Sequence, residues 1–306
     1  MDAKCKKSRE LLSRLRKEGC HINFDDDSKI VFISDAHRGN GGYEDSLRLN
    51  ENIYKAALKY YYNNDYMLVE IGDGDELWKN KNILDIAYNY DNVFEILRKF
   101  YKKNKLCLLY GNHDMIKSNP QFIMKQKKVY NNIGYDFPCT MLNLYSNIKF
   151  YECAVLNYTP LNKEILAFHG HQVDSMNCEF WKIGRFLVRY IWRFLEGVGG
   201  MKAPTSPASN YDKGDKIDKI LGRLSKKENA MIICGHTHND KFPRPSEGLY
   251  FNDGCCVFPS SVTTIEITKG KICLVKWKIE VDDKYNLYIN RIVTGGPQKI
   301  ADYFTI

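Results

Sequence analysis

The feature that most constrains this chain is a recurring one: short apolar runs, long enough for a strand and too short for a helix, that stop beside aspartate, asparagine or histidine. Lys29–Ser34 (KIVFIS) stops at Asp35, Tyr66–Ile71 (YMLVEI) at Gly72-Asp73, and Leu106–Tyr110 (LCLLY) at Gly111-Asn112-His113-Asp114. Glu164–Phe168 runs into His169-Gly170-His171, and Ala230–Cys234 into Gly235-His236-Thr237-His238. Continuous apolar runs of this length suit strands covered on both faces. Helical patterns separate the early ones: a basic helix near residues 3–18, another ending about Tyr62, and a third over Ile83–Lys103. The alternation predicts an α/β protein with a parallel or mixed sheet clothed by helices. Residues 138–157 contain strand-like stretches and 176–229 read as mostly helical, with a Pro/Ser-rich break at Ala203–Ser209. The remainder reads as β-strands, with turns at Lys269-Gly270 and Asp282-Asp283.

The residues past these strand ends have a chemistry in common. Six of the 7 histidines, His37, His113, His169, His171, His236 and His238, lie there, together with Asp35, Asp73 and Asn112. In an open α/β sheet the carboxyl ends of parallel strands meet at one edge, so groups distant in sequence become neighbours. Imidazole nitrogen and carboxylate oxygen together suit borderline divalent ions, so manganese, iron, zinc or cobalt is favoured over magnesium or calcium. The spacing in Asp35-Ala36-His37 can direct two ligands toward one ion where a strand ends, and His236-Thr237-His238 can offer one imidazole to each of two ions. Glycines at 72, 111, 170 and 235 let the backbone turn sharply and leave room for ions and phosphate.

The ordered set Asp35-x-His37, Gly72-Asp73-x-x-Glu76, Gly111-Asn112-His113-Asp114, His169-Gly170-His171 and Gly235-His236-x-His238 resembles the calcineurin-like metallophosphoesterases over roughly residues 29–254. The resemblance implies a four-layer α/β/β/α sandwich of two mixed sheets flanked by helices, a single domain over 1–306 with a helical cap inserted at 176–229. It implies two divalent cations, with manganese, iron or zinc favoured. One cation would be held by Asp35, His37 and His238 and the other by Asn112, His169 and His236, with Asp73 bridging them. His113 would stand beside the reacting phosphoryl group, stabilising negative charge or protonating the leaving oxygen, and Asp114 would orient its ring. The implied reaction is hydrolysis of phosphomonoesters or phosphodiesters: hydroxide bridging cations about 3.5–4 Å apart attacks phosphorus in line with the leaving group. A different class of reading is a metal-binding scaffold or interaction protein without activity.

Substrate choice turns on the insertion. In Phe180–Glu196 (FWKIGRFLVRYIWRFLE), Lys182, Arg185, Arg189 and Arg193 form a basic stripe opposite a broad apolar surface. Such an amphipathic helix can pack on its own domain, close as a lid over a lipid-linked substrate, touch a membrane surface peripherally, or form a homodimer face. Its place between HGH and GHTH resembles the cap of the UDP-2,3-diacylglucosamine pyrophosphatase branch, which implies a nucleotide-sugar lipid as an alternative substrate. That branch has Arg at the position of His113 and Asp at that of His171, so GNHD and HGH here follow the general phosphoesterase pattern. His171 is expected to hydrogen-bond near the metals or the substrate. Arg38 is expected either to pair with substrate phosphate or to form a loop salt bridge. Tyr43 is a candidate aromatic wall, and Asp174 a candidate N-cap of the inserted helix.

Charge and cysteine usage narrow the partners. The balance of 45 Lys+Arg against 37 Asp+Glu gives +8, compatible with a small phosphorylated substrate. No nucleic-acid-binding motif surrounds the basic residues. Part of the excess lies in the first seventeen residues, which read as a solvated helical tip. The 10 cysteines form no CxxC, and several, such as Cys107 and Cys234, sit in apolar runs, so no cysteine-based zinc site is expected. With no signal-like segment and no run of about 18 apolar residues, the expected setting is a reducing cytoplasm, with peripheral membrane contact through 180–196.

Overall fold

The computed structural model describes residues 3–133, 139–174 and 211–305. The expected apolar runs form strands β2 (Ile30–Ile33), β3 (Met67–Ile71), β4 (Leu106–Leu109), β7 (Lys163–Phe168) and β8 (Met231–Cys234). Around them lie β1 (Cys20–Phe24), β5 (Phe150–Tyr151), β6 (Cys153–Tyr158), β9 (Tyr250–Asn252), β10 (Ser261–Thr268), β11 (Lys271–Val281) and β12 (Leu287–Lys299). They form two mixed sheets, one of order β1-β6-β7-β8-β9 and one of order β12-β11-β10-β2-β3-β4-β5. Helices α1 (Ala3–Glu18), α2 (Glu51–Asn63), α3 (Ile83–Asn89), α4 (Asp91–Lys102), α5 (Pro120–Ile133), α6 (Thr140–Asn147) and α7 (Tyr211–Glu228) accompany them.

Successive side chains of a strand point to opposite faces, and here both faces are buried. In β2, Ile30 and Phe32 face the layer between the sheets, while Val31 and Ile33 face the helices. In β7, Ile165 and Ala167 face the inter-sheet layer, while Leu166 and Phe168 join the third core. That third core packs Leu12 and Leu15 of α1 and Ile217, Leu221 and Leu224 of α7 against the five-stranded sheet. Helices α2, α3, α4 and α6 cover the other sheet through Tyr54, Ile83, Phe94 and Leu144. The described chain is therefore an α/β/β/α sandwich of two mixed sheets.

Several expectations need correction. Residues 211–228, placed within a cap at 176–229, belong to the sandwich: α7 buries Ile217, Leu221 and Leu224 on the five-stranded sheet. Residues 175–210, including the amphipathic helix 180–196, lie outside the described residues. The basic first helix is not a solvated tip. Its Leu12 and Leu15 are buried, and Arg9, Arg14 and Arg16 pair with Glu228, Glu152 and Glu164. The helix expected over 83–103 breaks at Tyr90, whose hydroxyl donates to Asp45 (2.8 Å). The strand-like stretches expected within 138–157 are β5 and β6, and residues 140–147 ahead of them form a helix, because Met141, Leu142, Leu144 and Tyr145 bury one face of α6. That is helical spacing, masked in the sequence by its aromatic and branched neighbours.

Strands β2, β3 and β4 run parallel, as do β7 and β8. Both sets of carboxyl ends open toward one another at a common edge, where the Gly235 N–H donates to the His169 carbonyl (3.1 Å) and the His236 N–H to Asp35 Oδ2 (2.8 Å).

Candidate metal centre

Six side chains that the sequence scatters over some two hundred positions converge at this edge in two groups, with Asn112 beside them. Asp35, His37 and His238 offer ligand atoms within 4.8 Å of one another, and so do Asp73, His169 and His236. Asp73 ties the groups together. Its Oδ2 lies 3.2 Å from His169 Nε2 and 3.8 Å from His37 Nε2, while Oδ1 accepts the His113 N–H at 2.8 Å. Asn112 sits between Gly111, which abuts the Asp73 carboxylate, and His113, which bonds it.

The backbone is strained into this arrangement. Asp35, His37, Asp73, His236 and His238 all have positive φ, between 47° and 68°. Non-glycine residues enter that region at a cost, and such outliers gather where function demands them. Two glycines make the closeness possible. A Cβ on Gly111 would stand 2.2 Å from Asp73 Oδ1, and one on Gly235 would stand 2.5 Å from Asp35 Oδ2. Their missing side chains therefore make room for carboxylates rather than directly for ions.

Whether the residues suit divalent cations is tested by their unmet valences. Asn112 Oδ1, His169 Nε2 and His236 Nε2 are buried without a hydrogen-bond partner among the described residues. His169 Nε2 faces Asp73 without the alignment of a hydrogen bond. Buried polar atoms left this way are costly unless something unseen satisfies them. The histidines are also oriented from behind: His169 Nδ1 bonds the Ile71 carbonyl (2.9 Å) and His37 Nδ1 bonds Glu76 Oε2 (3.1 Å), which leaves each Nε2 for the centre. The donor set, carboxylate, imidazole and amide oxygen, fits two borderline divalent cations.

The electrostatics agree. Burial opposes ionisation of Asp35 and Asp73, yet the surrounding imidazoles hold both carboxyls below the ordinary carboxylate range. Burial likewise opposes charge on His169 and His238, but Asp73 and Asp35 raise them to about 9 and about 10. His236 is pushed down by burial. Cations at this centre would displace protons from His169 and His238.

His113 stands apart from the fully buried groups. Its side chain is 17% exposed, its ring meets His37 edge-on at 4.7 Å, and Trp78 stacks on it at 4.3 Å. The residue behind it is not the one expected. Asp114 was expected to orient His113, but it accepts the backbone N–H groups of Gly111 (2.7 Å) and Gly74 (3.1 Å) and an ion pair from Lys117. It stitches two ligand-bearing loops together. The carboxylate on His113 Nδ1 is Glu76, at 2.9 Å, the acidic residue of the Gly72-Asp73-x-x-Glu76 motif. Its signal was its place three residues after Asp73 in the same loop.

Arg38 takes the salt-bridge alternative and not the phosphate one. It is fully buried, with Nη1 and Nη2 on Glu70 (2.7 and 2.9 Å) and Nε on Asp75 (2.7 Å), so its guanidinium has no face left for phosphate. His171 is buried, its ring 5.5 Å from that of His169 and 6.4 Å from that of His236. Asp174 pairs with Lys213 (3.0 Å) and approaches His236 Nε2 (3.6 Å), so its side chain turns toward the centre. Tyr43 is almost wholly exposed. The cysteines described are free thiols, and no helix of the described residues is long and apolar enough to cross a membrane.

Among solved structures, Vps29 of Chaetomium thermophilum is similar at a TM-score of 0.37 and 10% identity, over 88% of this chain and 99% of that one. A putative 5′-nucleotidase from Staphylococcus aureus, in complex with alpha-ketoglutarate, is similar at 0.32 and 11%, over 90% of this chain and 55% of that one. The present chain thus spans about half of the nucleotidase's length, and neither likeness bears on function. No curated protein matches the sequence. Residues 28–240, which carry every ligand candidate of both groups, match the model of the calcineurin-like phosphoesterases, and the chain belongs to that family.

Proposed function

We propose that this chain hydrolyses phosphomonoesters or phosphodiesters with the help of two divalent cations, manganese, iron or zinc, held by Asp35, His37 and His238 on one side and by Asn112, His169 and His236 on the other. The observation that carries the reading is Asp73 Oδ2, within 3.8 Å of His37 Nε2 and 3.2 Å of His169 Nε2, the position of a carboxylate shared between two ions. Bound there, the cations would supply Lewis acidity, acidifying a water and neutralising phosphate charge.

The chain's own residues do the rest. Asp35 and Asp73 are kept ionised by the neighbouring imidazoles, so two negative charges face the cations at neutral pH. Glu76 and the Ile71 carbonyl hold His37 and His169 with Nε2 forward. His113, exposed at the rim with Nδ1 held by Glu76, presents Nε2 to the substrate, where it bonds a phosphoryl oxygen or gives a proton to the leaving oxygen. No side-chain nucleophile is required.

The test is metal analysis followed by a panel of an aryl phosphate, an aryl phosphodiester, cyclic nucleotides, nucleotide sugars and a lipid-linked pyrophosphate. Hydrolysis of a member by the metal-loaded protein, abolished by a chelator, supports the proposal. Two bound ions with no hydrolysis across the panel would favour the scaffold reading. A rate that rises with liposomes would favour a lipid-linked substrate, the finer reading drawn from the pyrophosphatase branch.

A further inference from the structure

The longest of the described strands, β12 with 13 residues, is an edge strand: it pairs with β11 and, among the described residues, with no other strand. An uncovered edge offers a row of backbone N–H and C=O groups to another strand, and proteins ordinarily blunt it with brevity, lysine, proline or a bulge. The opposite edge of the same sheet, β5, is 2 residues long. In β12 the blunting stops halfway. Past Val293 the pairing with β11 slips at two places and the strand carries Gly295, Gly296 and Pro297, whereas from Leu287 to Val293 it is regular and holds no lysine or proline. The single charge in that half, Arg291, is drawn onto the buried Glu266.

This bare half also stands clear of the domain. β10 begins opposite Lys278, so Ile279–Val281 of β11 and Leu287–Ile289 of β12 project beyond it as a two-stranded arm. Side chains alternate across the arm. Ile279, Val281, Leu287 and Ile289 share the face that carries Trp277 into the helical core, and the directly paired Val281 and Leu287 are 57% and 73% exposed. The other face is polar and satisfied within itself: Glu280 accepts from the Tyr288 hydroxyl (3.1 Å) and the Asn290 amide and pairs with Lys278 (2.8 Å). A contiguous apolar face beside an open edge marks an interaction surface.

We propose that this edge is a homodimer interface, in which β12 of two copies pairs antiparallel about a two-fold axis at Asn290 and joins the two seven-stranded sheets into one. The segment is complementary to itself. With the axis there, Leu287 faces the partner's Val293 on the apolar side, Tyr288 faces the partner's Ile292, and Ile289 lies against the aliphatic stem of the partner's Arg291. No like charges meet, because the Arg291 guanidinium is held by Glu266. Charge also favours a second copy over a membrane. Over residues 279–293, Lys284 and Arg291 stand against Glu280, Asp282 and Asp283, so the arm is slightly acidic on a chain of net +8. Nothing there draws an anionic lipid surface, and two basic copies repel one another less at such a patch. Both β11 and β2 are antiparallel to β10, so the arm projects from the end of the sheet where Asp35 follows β2, and the axis lies at the metal-bearing end of each copy.

Sedimentation equilibrium of the full chain is expected to show a reversible dimer. Leu287→Lys/Val293→Lys sets lysine opposite lysine twice across the axis and should weaken that dimer about tenfold or more, with the circular dichroism spectrum unchanged because both positions are exposed. Leu287→Glu/Val293→Glu should weaken it alike. Mixing the two variants should restore a heterodimer, which an unfolded arm could not do. Asn290→Cys, with its Cβ about 4.5–5.5 Å from its counterpart on the axis, should give a disulfide-linked dimer under mild oxidation faster than Tyr285→Cys at the exposed tip of the arm. A wild type that is monomeric at its highest soluble concentration, or a dimer that the lysine pair leaves at full strength, would overturn the proposal. Cross-linking through Tyr285→Cys alone would refute the strand pairing. A monomer that binds neutral phosphatidylcholine vesicles, and loses them in the lysine variant, would give the arm to a membrane instead.

Discussion

Replacing Arg38 by methionine separates a structural arginine from a phosphate-binding one. Methionine roughly keeps the buried volume and removes a guanidinium bonded to Glu70 through two nitrogens, to Asp75 through a third and to the Tyr54 hydroxyl at 3.1 Å. The damage falls unequally. Asp75 keeps Lys117 Nζ at 3.0 Å and the Tyr145 hydroxyl at 2.6 Å, whereas Glu70 keeps only the Tyr54 hydroxyl at 3.4 Å among the side-chain bonds described. Breaking a buried ion pair by removing one partner costs about 3–5 kcal/mol. Unfolding entropy of about 2 cal/mol/K per residue over a chain of this size converts that to a fall in Tm of roughly 5–8 °C. Calorimetry of the metal-loaded protein reads the first quantity, and KM for an aryl phosphate, expected to stay within about twofold, the second. The double variant Arg38→Met/Glu70→Gln should regain at least half the lost stability, because it no longer buries an unpaired carboxylate. A single variant whose Tm moves by less than a degree while KM rises tenfold would refute the reasoning and return Arg38 to the substrate.

Other outcomes follow from the same structure. Asp73→Ala should lower metal affinity and turnover by more than about 100-fold while the protein stays folded, since losing a bridging ligand exceeds the loss of an outer partner; wild-type turnover would end its bridging role. Gly235→Ala would place a methyl 2.1 Å from Ser34 Oγ, so a loss of about 1–3 kcal/mol and a weakened first cation site are expected in paired calorimetry and zinc titration. Leu221→Ala should cost about 2–5 kcal/mol in the global unfolding transition, because α7 is a layer of the sandwich; a transition unchanged in position would make that helix a detachable cap. In chelator, His169 and His238 keep protons that the unfolded chain releases near pH 6.5, so the stability they contribute is complete below that pH and is lost toward about 9 and 10. A Tm of metal-free protein that stays level or climbs from pH 6.5 to 10 would contradict the charge arrangement.

Local patterning by itself determined a good deal of this protein. Short apolar runs bounded by turn residues favour strands buried on both faces, and Asp, Asn and His placed where those runs stop are carried wherever the strands end. The α/β class and the gathering of these side chains at the strand ends were therefore legible from one dimension, while their division between two cations came from the family resemblance. What local pattern could not determine was which neighbour each polar side chain meets. Asp114 and Glu76 each follow a ligand within one motif, and no spacing rule says that the first would turn to backbone N–H groups and Lys117 while the second reaches back to two histidines. Arg38 follows His37 directly, yet its side chain turns the other way, beneath the centre, into Glu70 of β3 and Asp75 of the loop after it. The left-handed backbone at Asp35, His37, Asp73, His236 and His238 is a decision of the same kind. Local preference opposes it at each residue, and only the packing of two sheets, with their buried charges paired from behind, supplies the free energy to hold it.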